Sequence, residues 1–356
     1  MNNPHREATA TGTQLFRTQR FHQRDVKLQG GAVLAEVRTA YVTLGSLAPD
    51  GRNAVLVTHG YTSGPDMLNP EADTAEGSWG EIVGPGKPID TDRFFVVCAN
   101  ALGSSFGSTN AASVDPASGR PYGSNFPSVT VGDIVAIQHA LLEHLGVKHL
   151  ACVIGPSFGG SQVFQWAVDY PDAMDALVPV LSAPFIRQAN VADLAAKLAK
   201  SPDWQGGDYY GTPQAMVPFL FAMRIGTLTT YGIDALLAQR FPDAEDRAAE
   251  VQRIARDWSE RFDANSLLIL MGASATYDVT QRLERIKAPL LYVLSRTDRM
   301  FPPTLAENVL PRLRSAGVDA RYFEIDSEHG HFASGTDAAK WAPALRMFLA
   351  SVGVVE

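Results

Sequence analysis

The stretch LACVIGPSFGGSQVFQWAVDYP, residues 150–171, constrains this chain more than any other. Leu150–Ile154 is apolar on both faces, as in a strand of a sheet that is covered on both sides. Gly160–Tyr170 has an amphipathic helical pattern and stops at Pro171. Only a sharp turn separates the two, and it reads Gly-x-Ser-x-Gly, a spacing that lifts a nucleophilic serine above the strand end. Gly155 and Gly159 leave room for a tight crossing in which a side chain would clash. The chain holds a second copy of the pattern, GSSFG at Gly103–Gly107. After it comes GSTNAASVDPASGRPYGSNFP, too rich in Gly, Ser, Pro and Asn for a helix. Ser157 is therefore the candidate nucleophile, and Ser105 is expected in a loop.

The rest of the chain repeats the alternation. NAVLVTHG (53–60), RFFVVCANALG (93–103) and DALVPVLSA (175–183) read as short buried strands, and TVGDIVAIQHALLEHLG as a helix with Thr130 and Asp133 in capping-box spacing. Short apolar strands alternating with helices predict an α/β fold with a mostly parallel sheet and helices on both faces. Between residues 184 and 279 the strand rhythm stops and five helical patterns follow, which predicts a helical lid inserted into a core formed by 31–183 and 280–356. Residues 1–30 are expected to be an N-terminal tail. They are polar and lack the apolar stretch of a signal peptide, and no apolar run approaches a membrane span, so a cytoplasmic location is expected. A formal charge of −8 argues against nucleic acid or anionic membrane as partner. Cys98 and Cys152, the only cysteines, sit in apolar runs and read as buried free thiols.

A nucleophile elbow needs an acid and a histidine later in the chain, in the order Ser, Asp or Glu, His. Only His329 and His331 follow Ser157, both in IDSEHGHFAS just past a strand pattern. Asp298 ends the strand APLLYVLSRTD, where the acid is expected. The spacing leaves the two histidines undecided. THGYTSG (58–64) follows the first buried strand, where the second oxyanion donor belongs, so the backbone N–H groups of Tyr61 and Phe158 are the candidates for the oxyanion hole. No Gly-x-Gly-x-x-Gly follows a strand and no phosphate-loop or metal motif is present, so no nucleotide or metal cofactor is expected.

The chain resembles the homoserine O-acetyltransferase group of the α/β-hydrolase superfamily from about Ala40 to Phe348. The resemblance is most specific across residues 84–135, and it continues in WQGGDYY (Trp204–Tyr210) and FPP (Phe301–Pro303). It implies a triad of Ser157, Asp298 and His331, acetyl-CoA as cosubstrate of a transferase with no bound cofactor, a small-molecule donor and acceptor, and a homodimer. It implies that the GSSFG loop lines the site, and that Arg224 and Tyr231, seven positions apart, bind the acceptor. The chain departs from the family at the elbow, GPSFGG in place of GGSMGG. It departs again directly after the catalytic histidine, where Phe332 stands in place of an aspartate that holds the acceptor's amino group. Loss of a charge-assisted hydrogen bond of ~1.5–3 kcal/mol predicts poor binding of homoserine unless another acid, Glu328 first, takes over. Two activities stay open: acyl-CoA-dependent O-acyl transfer to another acceptor, and hydrolysis of small esters by the same acyl-enzyme.

Overall fold

Runs of Val, Leu, Ile and Cys form the centre of the molecule because strands covered on both faces have no polar side to display. In the computed structural model, which describes residues 17–70, 78–212 and 214–354, these runs become β3 (Ala54–Val57), β4 (Phe95–Ala99), β5 (Leu150–Pro156), β6 (Leu177–Val180) and β7 (Leu290–Ser295). They are joined by β1 (Gln19–Lys27), β2 (Val33–Leu44) and β8 (Ala320–Ile325) into an eight-stranded sheet ordered β1-β2-β4-β3-β5-β6-β7-β8. From β4 to β8 neighbouring strands are parallel, and β1 and β2 run antiparallel at one edge. Helices α1 (Val131–His144) and α2 (Phe158–Asp169) follow β4 and β5. α1 starts on the expected capping box, with Thr130 Oγ1 accepting from the Asp133 N–H and the Asp133 carboxylate accepting from the Thr130 N–H. α8 (Ala306–Ser315) and α9 (Ala338–Ser351) follow β7 and β8. Both cysteines are buried and free.

One sequence expectation is corrected here. Residues 19–27, read as tail, form β1, which pairs with β2 from Gln19 opposite Tyr41 to Lys27 opposite Val33. An edge strand needs one face for the core and turns the other to water, so QRFHQRDVK carries too few apolar residues to reveal itself. Residues 1–16 of the expected tail lie outside the described residues.

Between β6 and β7 the chain runs through α3 (Val191–Leu198), α4 (Val217–Thr230), α5 (Ile233–Leu237), α6 (Ala244–Ser259) and α7 (Ala264–Ala275). α6 and α7 start on aspartate caps, Asp243 and Asp263. The segment between β6 and β7 carries two apolar clusters, one around Trp204, Leu220 and Trp258 and one around Leu228 and Ile254, which Phe332 joins from the loop after β8.

Candidate active site

Ser157 stands between β5 and α2 with φ 55° and ψ −123°, a left-handed conformation that a serine adopts only where the surroundings enforce it. The enforcement is steric and local. A Cβ on Gly155 would lie 2.4 Å from the Thr58 carbonyl oxygen, and one on Gly159 would lie 2.3 Å from the same oxygen. Thr58 Oγ1 donates to the Gly159 carbonyl at 2.9 Å, and the Ser157 N–H donates to the Val180 carbonyl at 2.8 Å. The strand ends of β3, β5 and β6 thus clamp the turn, and the space a side chain would need is taken by Thr58, by its carbonyl at both glycines and also by its Oγ1 at Gly155.

The structure brings Ser157, His331 and Asp298 into one hydrogen-bonded line. His331 Nε2 lies 2.8 Å from Ser157 Oγ, and His331 Nδ1 lies 2.8 Å from Asp298 Oδ2. Asp298 follows β7 and His331 follows β8, so adjacent parallel strands deliver both to the same sheet edge. All three are nearly covered, at 7%, 4% and 2% exposure for Ser157, His331 and Asp298. Burial pushes the Asp298 carboxyl up, but the charge and hydrogen bond of His331 and the N–H groups of Met300 and Phe301 outweigh it and hold the group below the usual carboxylate range. His329 is kept off this line: its N–H is bonded to Ser327 Oγ, and its ring Nδ1 is buried without a partner among the described residues.

Ser157 opens on a cavity of about 430 Å³, walled largely by Ile186, Leu194, Met223, Leu267, Met271 and Phe301. Tyr61, Phe158 and Tyr231 also line it. The backbone N–H groups of Tyr61 and Phe158 meet no acceptor among the described residues. Burial, with Tyr231 beside it, pushes the Tyr61 hydroxyl up, so it stays protonated and donates to the Leu267 carbonyl. The Tyr231 ring lies 5.1 Å from that of His331. Among the described lining residues there is no carboxylate, and Arg299 is the one charged residue.

Several expectations need correction. Arg224 does not line the cavity; it is 2% exposed, donates to Thr62 Oγ1 at 2.9 Å and lies 4.6 Å over the Trp258 ring. Met223, Thr227 and Tyr231 share the cavity face of the α4 segment, and Arg224 is turned one position round the helix, behind Thr62. Phe332 is also off the wall. It is 1% exposed among Leu228, Ile233, Leu237 and Ile254, with its ring 5.5 Å from Tyr231, because the tight turn at Gly330–Phe332 sends consecutive side chains in different directions. Glu328, the substitute acid, is exposed and paired with Arg296 outside the cavity. Ser105 accepts from the Asp263 N–H at 2.9 Å and lines a separate cleft with Tyr209 and Tyr210, so the GSSFG serine does not reach the Ser157 cavity.

Sequence reasoning missed the support behind the Tyr61 loop. Trp166 Nε1 donates to Gln138 (2.8 Å), Gln138 to Gln162 (2.6 Å), and Gln162 to the His59 carbonyl (3.3 Å). The Ala101 N–H donates to His59 Nε2 at 2.9 Å, which puts the ring proton on Nδ1, facing the Gly60 carbonyl at 2.8 Å. A visible clue was two glutamines inside otherwise apolar helix faces. Buried amides at such positions are retained where every hydrogen bond is met.

Comparison with known proteins bears on the family and the fold. A family model described as alpha/beta hydrolase fold matches residues 53–338. Homoserine O-acetyltransferase of Moorella thermoacetica is 35% identical, covering 93% of this chain and 96% of the relative. The enzyme of Haemophilus influenzae (strain 86-028NP) is 36% identical, covering 93% and 97%. Among solved structures, a variant of esterase E22 superposes with a TM-score of 0.83 at 27% identity, over 94% of this chain and 100% of that one. Homoserine O-acetyltransferase of Bacillus anthracis superposes with a TM-score of 0.79 at 24% identity, over 94% and 98%, and so attests the fold. Among the described residues no helix is long and apolar enough to cross a membrane. The chain is an acyltransferase or esterase that belongs to the homoserine O-acetyltransferase family of the α/β-hydrolase superfamily.

Proposed function

We propose that this enzyme transfers acyl groups through an ester on Ser157 and that its acceptor carries no ammonium group: a neutral alcohol, or water. The observation that carries this reading is the Ser157–His331–Asp298 line opening on a cavity whose described walls hold no carboxylate. An ammonium desolvated there would have no counter-charge, at a loss of ~1.5–3 kcal/mol relative to a charge-assisted pair. The helices between residues 184 and 279 act as a cap, because α3, α4 and α7 supply Leu194, Met223 and Met271 to the cavity.

The chemistry follows from the contacts. His331 Nε2 takes the Ser157 proton as Oγ attacks the acyl carbonyl, and Asp298 stabilises the imidazolium without taking its proton. The oxyanion forms near the unpaired amides of Tyr61 and Phe158, each worth roughly 2.7–4 kcal/mol by analogy with a single oxyanion donor. Collapse breaks the thioester or ester bond and expels the CoA thiolate or the ester's alkoxide, which takes the proton from His331. An acceptor hydroxyl then gives its proton to His331 and attacks the acyl-enzyme; collapse breaks the bond to Ser157 Oγ, which takes the proton back from His331. Homoserine acetylation is the second reading, favoured by the full-length relatives of that name.

Burst kinetics with p-nitrophenyl acetate test both. We expect a burst equal to the enzyme concentration, breakdown accelerated by simple alcohols and unchanged by homoserine. Saturating acceleration by micromolar homoserine would replace the first reading with the second.

A further inference from the structure

The arms that carry Asp298 and His331 are tied together by one hydroxyl outside the cavity. Thr297 Oγ1 donates to the Ser327 carbonyl at 2.9 Å and accepts from the Gly330 N–H at 3.0 Å. Thr297 directly precedes Asp298, and Gly330 directly precedes His331. Gly330 has φ +54°, so the turn that presents the histidine uses a conformation unfavourable to other residues. The Ser327 side chain is fully buried; its Oγ donates to Asp337 and accepts from the His329 N–H at 2.9 Å. Asp337 in turn accepts from Lys340 at 3.1 Å, which anchors the far end of the loop on α9.

We propose that Thr297 is a positioning residue of the acyl-transfer reaction, setting the contact between Asp298 and His331 by joining the Ser327 carbonyl to the Gly330 amide. Without the hydroxyl, two backbone groups lose their partner and the histidine turn is free to move relative to the acid. Misplacement by about 1 Å is enough to cost roughly 10²-fold in rate. Thr297 is not on the cavity wall, so substrate binding should be spared. The inference rests on the reading of Ser157 as nucleophile and His331 as its base.

The test compares Thr297→Val, Thr297→Ala and Thr297→Ser in the full chain with p-nitrophenyl acetate, after phosphonate labelling of Ser157 counts active sites. We expect kcat to fall about 10- to 100-fold in the valine and alanine variants with KM within about twofold. The serine variant, which keeps the hydroxyl, should stay within about threefold of the native kcat. If valine does not fold, as judged by thermal melting, alanine carries the same comparison. Native kcat in the valine or alanine variant overturns the proposal, as does a serine variant as slow as alanine. A native protein that is not labelled at Ser157 removes the reading beneath it, a result distinct from labelled variants of normal rate.

Discussion

Gly103–Gly107 and Gly155–Gly159 are spelled almost alike, GSSFG and GPSFG, yet they do opposite things. At the second, a buried strand enters and a helix leaves, and the glycines press against the backbone of Thr58. At the first, no helix follows; Ser105 Oγ accepts from the N–H of Asp263 at the cap of α7, and a Cβ on Gly103 would meet side chains of α7, Ile269 first at 2.5 Å, rather than backbone. One turn aims a serine at a histidine, and the other docks a loop on a helix end. A five-residue motif therefore specifies little; what precedes and follows it decides its use.

The largest effects should separate the two serines. Ser157→Ala is expected to reduce kcat by roughly 10⁴-fold or more, since no nucleophile remains on His331. An active Ser157→Ala enzyme, measured by ester turnover after ruling out contaminants, would break the comparison at its root.

His331→Ala should lose on the order of 10³-fold in kcat, while His329→Ala, off the line, should stay within about threefold. The pH profile sharpens this. Asp298 is held below the usual carboxylate range, so it stays ionised as pH falls, and the acid limb reports protonation of His331. Activity should rise with pH along that limb, with no second limb in the carboxylate range above pH ~4. The stabilisation from the depressed Asp298 carboxyl is present above its unfolded pKa and lost as pH falls through its folded value, below the usual carboxylate range. Two overlapping acid limbs in a kcat/KM profile would contradict this account.

A smaller effect concerns the packing of the elbow. Gly155→Ala forces a methyl to within 2.4 Å of the Thr58 carbonyl and should destabilise the fold by roughly 1–3 kcal/mol. Equilibrium denaturation unchanged from native would mean that the clamp gives way more easily than its backbone contacts imply. Ser105→Ala lies at the bottom of the scale. It removes one hydrogen bond worth about 0.5–1.5 kcal/mol and should keep at least a tenth of the turnover. Loss of activity equal to that of Ser157→Ala would erase the distinction between the two stretches.

The sequence by itself determined the buried parallel strands, the elbow at Ser157, the capped start of α1 and the order of serine, acid and histidine. These are local or near-local: apolar runs, turn residues and caps act within a few positions, and strand ends are where loops must be. It did not determine β1, whose apolar residues are too few to signal a strand until β2 supplies the partner. Nor did it determine where Arg224 and Phe332 point. Both stand at positions that looked fit to hold an acceptor, but one position round a helix or a tight turn is enough to move a side chain from cavity to core. Only tertiary structure separates His331 from His329 by geometry: His331 meets Ser157 and Asp298, while Thr297, from the neighbouring strand end, and Ser327, in the same loop, bond to the backbone of the turn. Such contacts join residues about thirty positions apart (Thr297 to Ser327 and Gly330), and no local pattern encodes them.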